Sequence, residues 1–200
     1  MTDTTKKEDP TRIILGSPEH PVRFSYAFFH EPRIDDKKID KKTGKPEAMY
    51  TAMIMVPKAD KTAKAKIEAA IRAAADVKIP GKSIPSVWSM PLRDGDEEYE
   101  DKGEHMKGYW FFNCKSKIKP DVVGTERDMD NKLCRLSKDE IKSGDYGRVA
   151  VNFYYFENES KGIAVGLGHV QKLKDGEALG TNSASADALF DDDMDAGFSD

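Results

Sequence analysis

The sequence predicts a mainly β protein: a small barrel capped by one helix, with unstructured ends. Three observations carry this prediction. Several short runs alternate apolar and polar residues at the period of a strand. A single stretch, Asp60 to Val77, keeps helical period instead. Turn-rich links separate these runs, and no internal repeat organises them.

Residues 1–11 form a polar arm expected to be disordered, residues 12–177 the folded domain, and residues 178–200 a flexible tail. Arg12 to Leu15 is a short strand ended by Gly16 and Pro18. Val22 to His30 alternates, with Val22, Phe24, Tyr26 and Phe28 on one side and Arg23, Ser25, Ala27 and Phe29 on the other. Pro32 is expected to stop it. Glu31 to Glu47 then reads as a charged loop carrying Lys37, Lys38, Lys41, Lys42 and Lys45. Ala48 to Val56 is apolar on both sides and reads as a buried strand.

Asp60 is a suitable N-cap for the helix. Ala63, Ile67, Ala70, Ile71, Ala74 and Val77 form its apolar stripe, and Pro80-Gly81 ends it. Trp88 stands in a Pro-rich stretch, where it either stacks a ligand or plugs the barrel. Arg93 to Glu104 carries seven acids and reads as a surface loop. Three further strand runs follow at 107–119, 147–158 and 162–173, the last two joined by a short hairpin connection.

The composition excludes several classes. A mean hydropathy of −0.67 and 34% charged residues indicate a soluble chain, and no apolar run approaches the length of a membrane span. The start has neither a secretory apolar stretch nor a myristoylation glycine, so intracellular residence is expected. Cys114 and Cys134 are too few for a disulfide scaffold, and the four histidines never reach metal-ligand spacing. No cofactor or metal is expected.

Splitting each late run by strand alternation gives two kinds of face. One face is an ordinary core: Trp110, Phe112 and Cys114; Val149, Val151 and Phe153; Ile163, Val165 and Leu167. The other mixes rings with polar groups and cations: Tyr109, Phe111, Asn113, Lys115, Lys117 and Lys119; Arg148, Asn152, Tyr154 and Phe156. A strip of Gly162, Gly166 and Gly168 runs beside them. Arg23 and Phe29 fall on the same side. Such a surface suits single-stranded nucleic acid, because rings stack on unpaired bases while cations neutralise phosphates, at about 1–3 kcal/mol per stacked base. Glycine lets a backbone approach the sheet closely. The lysine loop becomes a phosphate clamp where it overhangs this face.

The last twenty residues, Thr181 to Asp200, contain six aspartates and no Lys or Arg. The formal net charge is −4, and without this segment residues 1–180 carry +2. Phe190, Asp191, Asp192, Asp193, Asp195 and Phe198 make a mobile polyanion with two rings, suited both to mimicking a nucleic-acid strand and to binding partner proteins.

Other motifs fail on their own chemistry. Gly81-Lys82-Ser83 lacks the glycine a phosphate loop needs five positions earlier, where Asp76 stands. Asp128-Met129-Asp130-Asn131 has Leu133 where a calcium loop needs glycine. Gly166-Leu167-Gly168 lies inside a strand, not before a helix.

The segments KIKPDVVG (117–124), SGDYGRVAVNFYYF (143–156) and KGIAVGLGHVQKLKDGE (161–177), followed by FDDDMDAGFSD (190–200), resemble the tailed-phage single-stranded DNA-binding proteins. The resemblance extends from about Arg12 to the end. It implies an OB-type barrel with a helix, coating of single-stranded DNA during phage replication and recombination, and no enzymatic activity. It further implies that the acidic tail contacts replisome proteins (polymerase, helicase or primase) and competes with DNA for the basic groove. Phe198 is followed by Ser199 and Asp200, so the final residue is not aromatic as the pattern has it. The cytoplasm of a bacterial host is the implied location. Weak binding of double-stranded DNA and a homodimer through free strand edges stay open. Two other functions also stay open: a metal-dependent nuclease using the acids of 94–104, and an adaptor acting through the tail alone.

Overall fold

The computed structural model describes residues 9–40 and 42–179. Its frame is built from β1 (Arg12–Leu15), β2 (Val22–Ile39), β3 (Pro46–Pro57), β4 (Arg93–Asp94), β5 (Tyr109–Ser116), β6 (Val122–Arg127), β7 (Leu133–Arg135), β8 (Tyr146–Glu157) and β9 (Lys161–Lys174), with helices α1 (Lys61–Asp76) and α2 (Gly95–Lys102). The pairings β2–β3, β3–β5, β5–β9, β9–β8 and β8–β2 close on themselves as a ring. β1 lies along β8, and the β6–β7 hairpin extends the sheet beyond β9. The mainly β class read from the sequence is the observed one.

Strand alternation does what the sequence says in β8, where Val149, Val151 and Phe153 are buried and the residues between them face outward. Phe24, Phe29, Ile54, Phe112, Phe153 and Val165 fill the interior, each at most 2% exposed. α1 closes it with Ala63, Ile67, Ala70, Ile71 and Ala74. Each buried Ile removes apolar surface worth about 1.5–3 kcal/mol. The Asp60 carboxylate caps this helix by accepting from the Ala63 N–H at 2.9 Å.

Three departures from the sequence expectation matter for the site. First, β2 does not stop at Pro32 but runs to Ile39, and the expected loop of 31–47 is a long two-stranded arm with β3. Pro32 is tolerated because it sits in a bulge, where the five-residue step from Phe28 to Arg33 passes the two-residue step from Thr51 to Met49. Second, the acidic stretch 93–104 is ordered. Asp94 ends a short strand and caps α2 by accepting from the Asp96 N–H, and the acids of the first turn suit a helix N-terminus. Third, β6 and β7 form a hairpin turning at Asp128–Lys132, in a stretch with no strand alternation to announce it.

A second, smaller core lies on the outer side of the sheet, where Met53, Met55, Met106 and Phe111 pack with Tyr99, Tyr109 and Leu179. α2 and the turn at Glu104–Met106 therefore cover one end of β3 and β5.

Candidate nucleic-acid interface

Strand pairing fixes which outward side chains lie side by side, because directly paired residues share a face. Following register across the ring gives one row: Arg12, Asn152, Gly166, Lys115, Thr51 and Phe28. It crosses six strands, so at about 4.8 Å per step it extends about 24 Å. Arg12, Lys115 and Phe28 are exposed, Asn152 and Thr51 half-buried. Tyr154, 38% exposed, and Ala164 flank the row on one side, and Ile14 and Ala150 on the other.

At the β1 end the row opens into a cavity of about 750 Å³ lined by Arg12, Ile14, Lys66, Ala150, Asn152 and His169 among others. The Arg148 side chain borders the adjoining hollow, with Nη1 donating to Gln171 Oε1 at 3.4 Å. Its buried Nε has no partner among the described residues. Small residues make the floor. A Cβ on Gly166 would stand 2.2 Å from Asn152 Oδ1, so this glycine is what lets the Asn152 amide lie flat on the sheet.

The arrangement is an open strip with a cation at intervals, ring edges at the margins and no bulky obstruction between. Lys115 has no ion-pair partner among the described residues, so its charge is available. Burial pushes the Tyr154 phenol above its usual range.

Several residues expected at the interface are elsewhere. Phe29 is 1% exposed and meets Phe24 edge-on at 5.4 Å inside the ring. The cause is a bulge: Ser25 pairs with Met53 but Phe28 pairs with Thr51, so one extra residue reverses inside and outside. Phe28 thereby gains the open face that strict alternation had given to Phe29. Phe111 is fully buried beneath α2 and Met106, a cover supplied by residues that read as loop. Tyr109 is half-buried in the same cluster; burial first, and then the neighbouring Tyr146 phenol, push its pKa up.

Arg23 is 8% exposed and serves the chain itself. Its Nε donates to the Gly144 carbonyl at 3.1 Å and Nη2 to the Glu177 carbonyl at 3.0 Å. Around it the segment leading to the tail is clamped to the body. Leu179 N–H donates to the Ser143 carbonyl, and Gly176 N–H donates to the fully buried Asp145 carboxylate. Burial works to raise the Asp145 pKa, but hydrogen bonds from Lys142 and Lys172 and from backbone N–H groups outweigh it and hold the group below the usual range. Leu179 still packs on the body, past the boundary expected at 177, against the outer cluster of Met53, Met55, Met106 and Phe111.

Phe156 is half-buried and paired with Gly162, over which the Ser89 backbone lies as an added bridge. Trp88, 8% exposed, packs on Tyr155 at 4.8 Å and is a plug. Lys117 pins the arm through Asp40 and Glu47, and its hydrogen bond holds the Asp40 carboxyl down at about 2. Lys119 stands at a separate hollow beside His30. Lys37, Lys38, Lys42 and Lys45 are exposed on the arm, to the side of the row. Lys41 and the tail residues Phe190, Asp191, Asp192, Asp193, Asp195 and Phe198 lie outside the described residues.

The acids of 94–104 do not converge. Asp94 and Asp96 both bind Lys58, and Glu98 binds Arg93. Among the described residues no group of three or more His, Cys, Asp or Glu is placed to hold a metal ion. No described helix is long and apolar enough to cross a membrane.

Sequence reasoning missed Arg12, Ile14, Phe28, Thr51, Lys66 and His169. Register across six strands brings Arg12, Thr51 and Phe28 together, and no short-range signal in the sequence encodes that register.

Comparison with known proteins gives a consistent result. A phage single-stranded DNA-binding protein of bacteriophage Enc34, solved in complex with ssDNA, has 24% sequence identity and a TM-score of 0.64, over 85% of this chain and 90% of that one. Another structure of the single-stranded DNA-binding protein from bacteriophage Enc34 gives 22% identity and a TM-score of 0.62, over 90% of each chain. A protein described as putative protein p50, from Acyrthosiphon pisum secondary endosymbiont phage 1, is 26% identical over 158 residues, 75% of this chain and 82% of that protein. The sequence profile of the family described as "Enterobacter phage Enc34, ssDNA-binding protein" matches residues 11–199, and the chain therefore belongs to that phage ssDNA-binding protein family.

Proposed function

We propose that this protein binds single-stranded DNA without strong sequence preference and coats it during phage replication and recombination. The observation that carries this reading is the register-aligned row from Arg12 to Phe28. Lys115, Arg12, Lys66 and Arg148 neutralise phosphates along it, Tyr154 stacks an unpaired base, and the Asn152 amide hydrogen-bonds a base edge or sugar. Phe29, Phe111 and Arg23 have no part in it, since their side chains are enclosed. The arm lysines Lys37, Lys38, Lys42 and Lys45 steer the strand toward the row from a distance. Phosphate contacts alone admit duplex DNA more weakly.

The action is non-enzymatic and takes place in the bacterial host's cytoplasm. The acidic tail, with Phe190 and Phe198, recruits replisome proteins and competes with DNA. Its last described residue, Leu179, packs against the outer cluster that includes Met53, two residues along β3 from Thr51, which supports that competition. Beyond Ala27, β2 pairs only with β3 among the described residues, and this free edge is where a second copy would add a strand.

Fluorescence anisotropy with labelled single-stranded oligonucleotides of differing sequence tests the reading. Binding to all of them within about tenfold is expected, since stacking is sequence-tolerant. No binding at low salt, or binding to one sequence alone, would refute it.

A further inference from the structure

The bulge in β2 does more than reverse inside and outside. Tyr26 holds φ at +47°, a left-handed backbone that a bulky aromatic rarely adopts, and its ring is 61% exposed. This backbone costs stability, and glycine would relieve it. The other non-glycine with positive φ among the described residues is Asn131, a type that accepts this backbone readily. Ala27, the second residue of the bulge, packs inward against the main core, so the extra residue is pushed out. The next residue, Phe28, is 40% exposed at the end of the row, beside Thr51, which in turn pairs with Lys115.

Bulges re-aim side chains next to functional sites, and strained backbone gathers at ligand clamps. We propose that Tyr26 and Phe28 form a base-stacking subsite at the β2 end of the row, taking the ring of an unpaired nucleobase. This rests on the single-stranded DNA reading above and adds to it a place where a base is gripped. Lys115 lies two strands from Phe28, about 10 Å away across the sheet, so a stacked base and a nearby phosphate are served together.

The test uses the full chain, the variants Tyr26→Gly and Phe28→Ala, a labelled oligo(dT), and an abasic strand of equal length. Tyr26→Gly is expected to melt no lower than the parent, because relief of the left-handed strain offsets the flexibility of glycine. Each variant is expected to bind oligo(dT) about 5- to 140-fold more weakly, the equivalent of about 1–3 kcal/mol for one stacked base. On the abasic strand all three proteins should bind alike. Unchanged affinity of Tyr26→Gly for oligo(dT), or a loss equally large on the abasic strand, overturns the proposal. Should the glycine variant melt lower, Tyr26→Asn takes its place, and affinity that merely follows melting temperature in both also overturns it. Failure of the parent protein to bind oligo(dT) would instead sink the single-stranded DNA reading itself.

Discussion

Replacing Lys115 by alanine should flatten the salt dependence of single-stranded DNA binding by a calculable amount. The row and its cavity present four cations to a strand: Arg12, Lys66, Lys115 and Arg148. Each neutralised phosphate contributes about −0.7 to the slope of log affinity against log salt on a single strand. Full engagement therefore gives a slope of about −2.8, and affinity falls about 50-fold between 50 and 200 mM salt. Without Lys115 the slope becomes about −2.1 and the fall about 20-fold. The substitution is clean, since Lys115 is exposed and has no ion-pair partner among the described residues. Anisotropy titrations at five salt concentrations measure both slopes, with the melting temperature as a control for folding. A variant slope equal to the parent's would refute the claim that this lysine meets a phosphate.

Other perturbations separate the fold from the interface. Phe111→Ala should cost about 3–5 kcal/mol of stability, read by chemical denaturation, while leaving DNA affinity unchanged well below the melting temperature, because its ring is enclosed under α2. Asp145→Ala should cost about 3 kcal/mol, or about 6–12 °C of melting temperature, by leaving the Lys172 ammonium without its buried partner. The Asp145 pKa is depressed in the folded state, so its contribution is present above the ordinary carboxylate range and is lost as pH falls through the lower folded value. The parent should thus lose stability from about pH 4 downward, and Asp145→Ala should lose less over that interval. Truncation after Gly180 leaves a body of charge +2 and should tighten binding to oligo(dT) at low salt. A dissociation constant unchanged or weaker would remove tail competition.

The parts legible in the sequence were those governed by local period. β8 alternates from Tyr146 to Tyr154, and its faces were assigned correctly over residues 149–154. Asp60 and the stripe from Ala63 to Ala74 gave α1 almost to the residue. The parts not legible were set by one-residue insertions and distant cover. Nothing in SYAFF announces a bulge at Tyr26, because the residue that adopts positive φ is neither glycine nor asparagine. Phe111 looks outward by parity, and only the fold brings Met106 and α2 over it. The glycine strip was read as room for a ligand, yet Gly162 is approached by the Ser89 backbone and Gly166 by the Asn152 side chain. Arg23 was grouped with cations for DNA by alternation alone, whereas two carbonyls of its own chain hold it.

Ultraviolet cross-linking of the full chain to oligo(dT), followed by peptide mapping, addresses the interface most directly. Adducts are expected on the peptides carrying Phe28, Lys115 and Asn152 with Tyr154, which lie far apart in sequence but share one row or its margin. Adducts confined to α2, the β6–β7 hairpin or the Trp88 segment would contradict it.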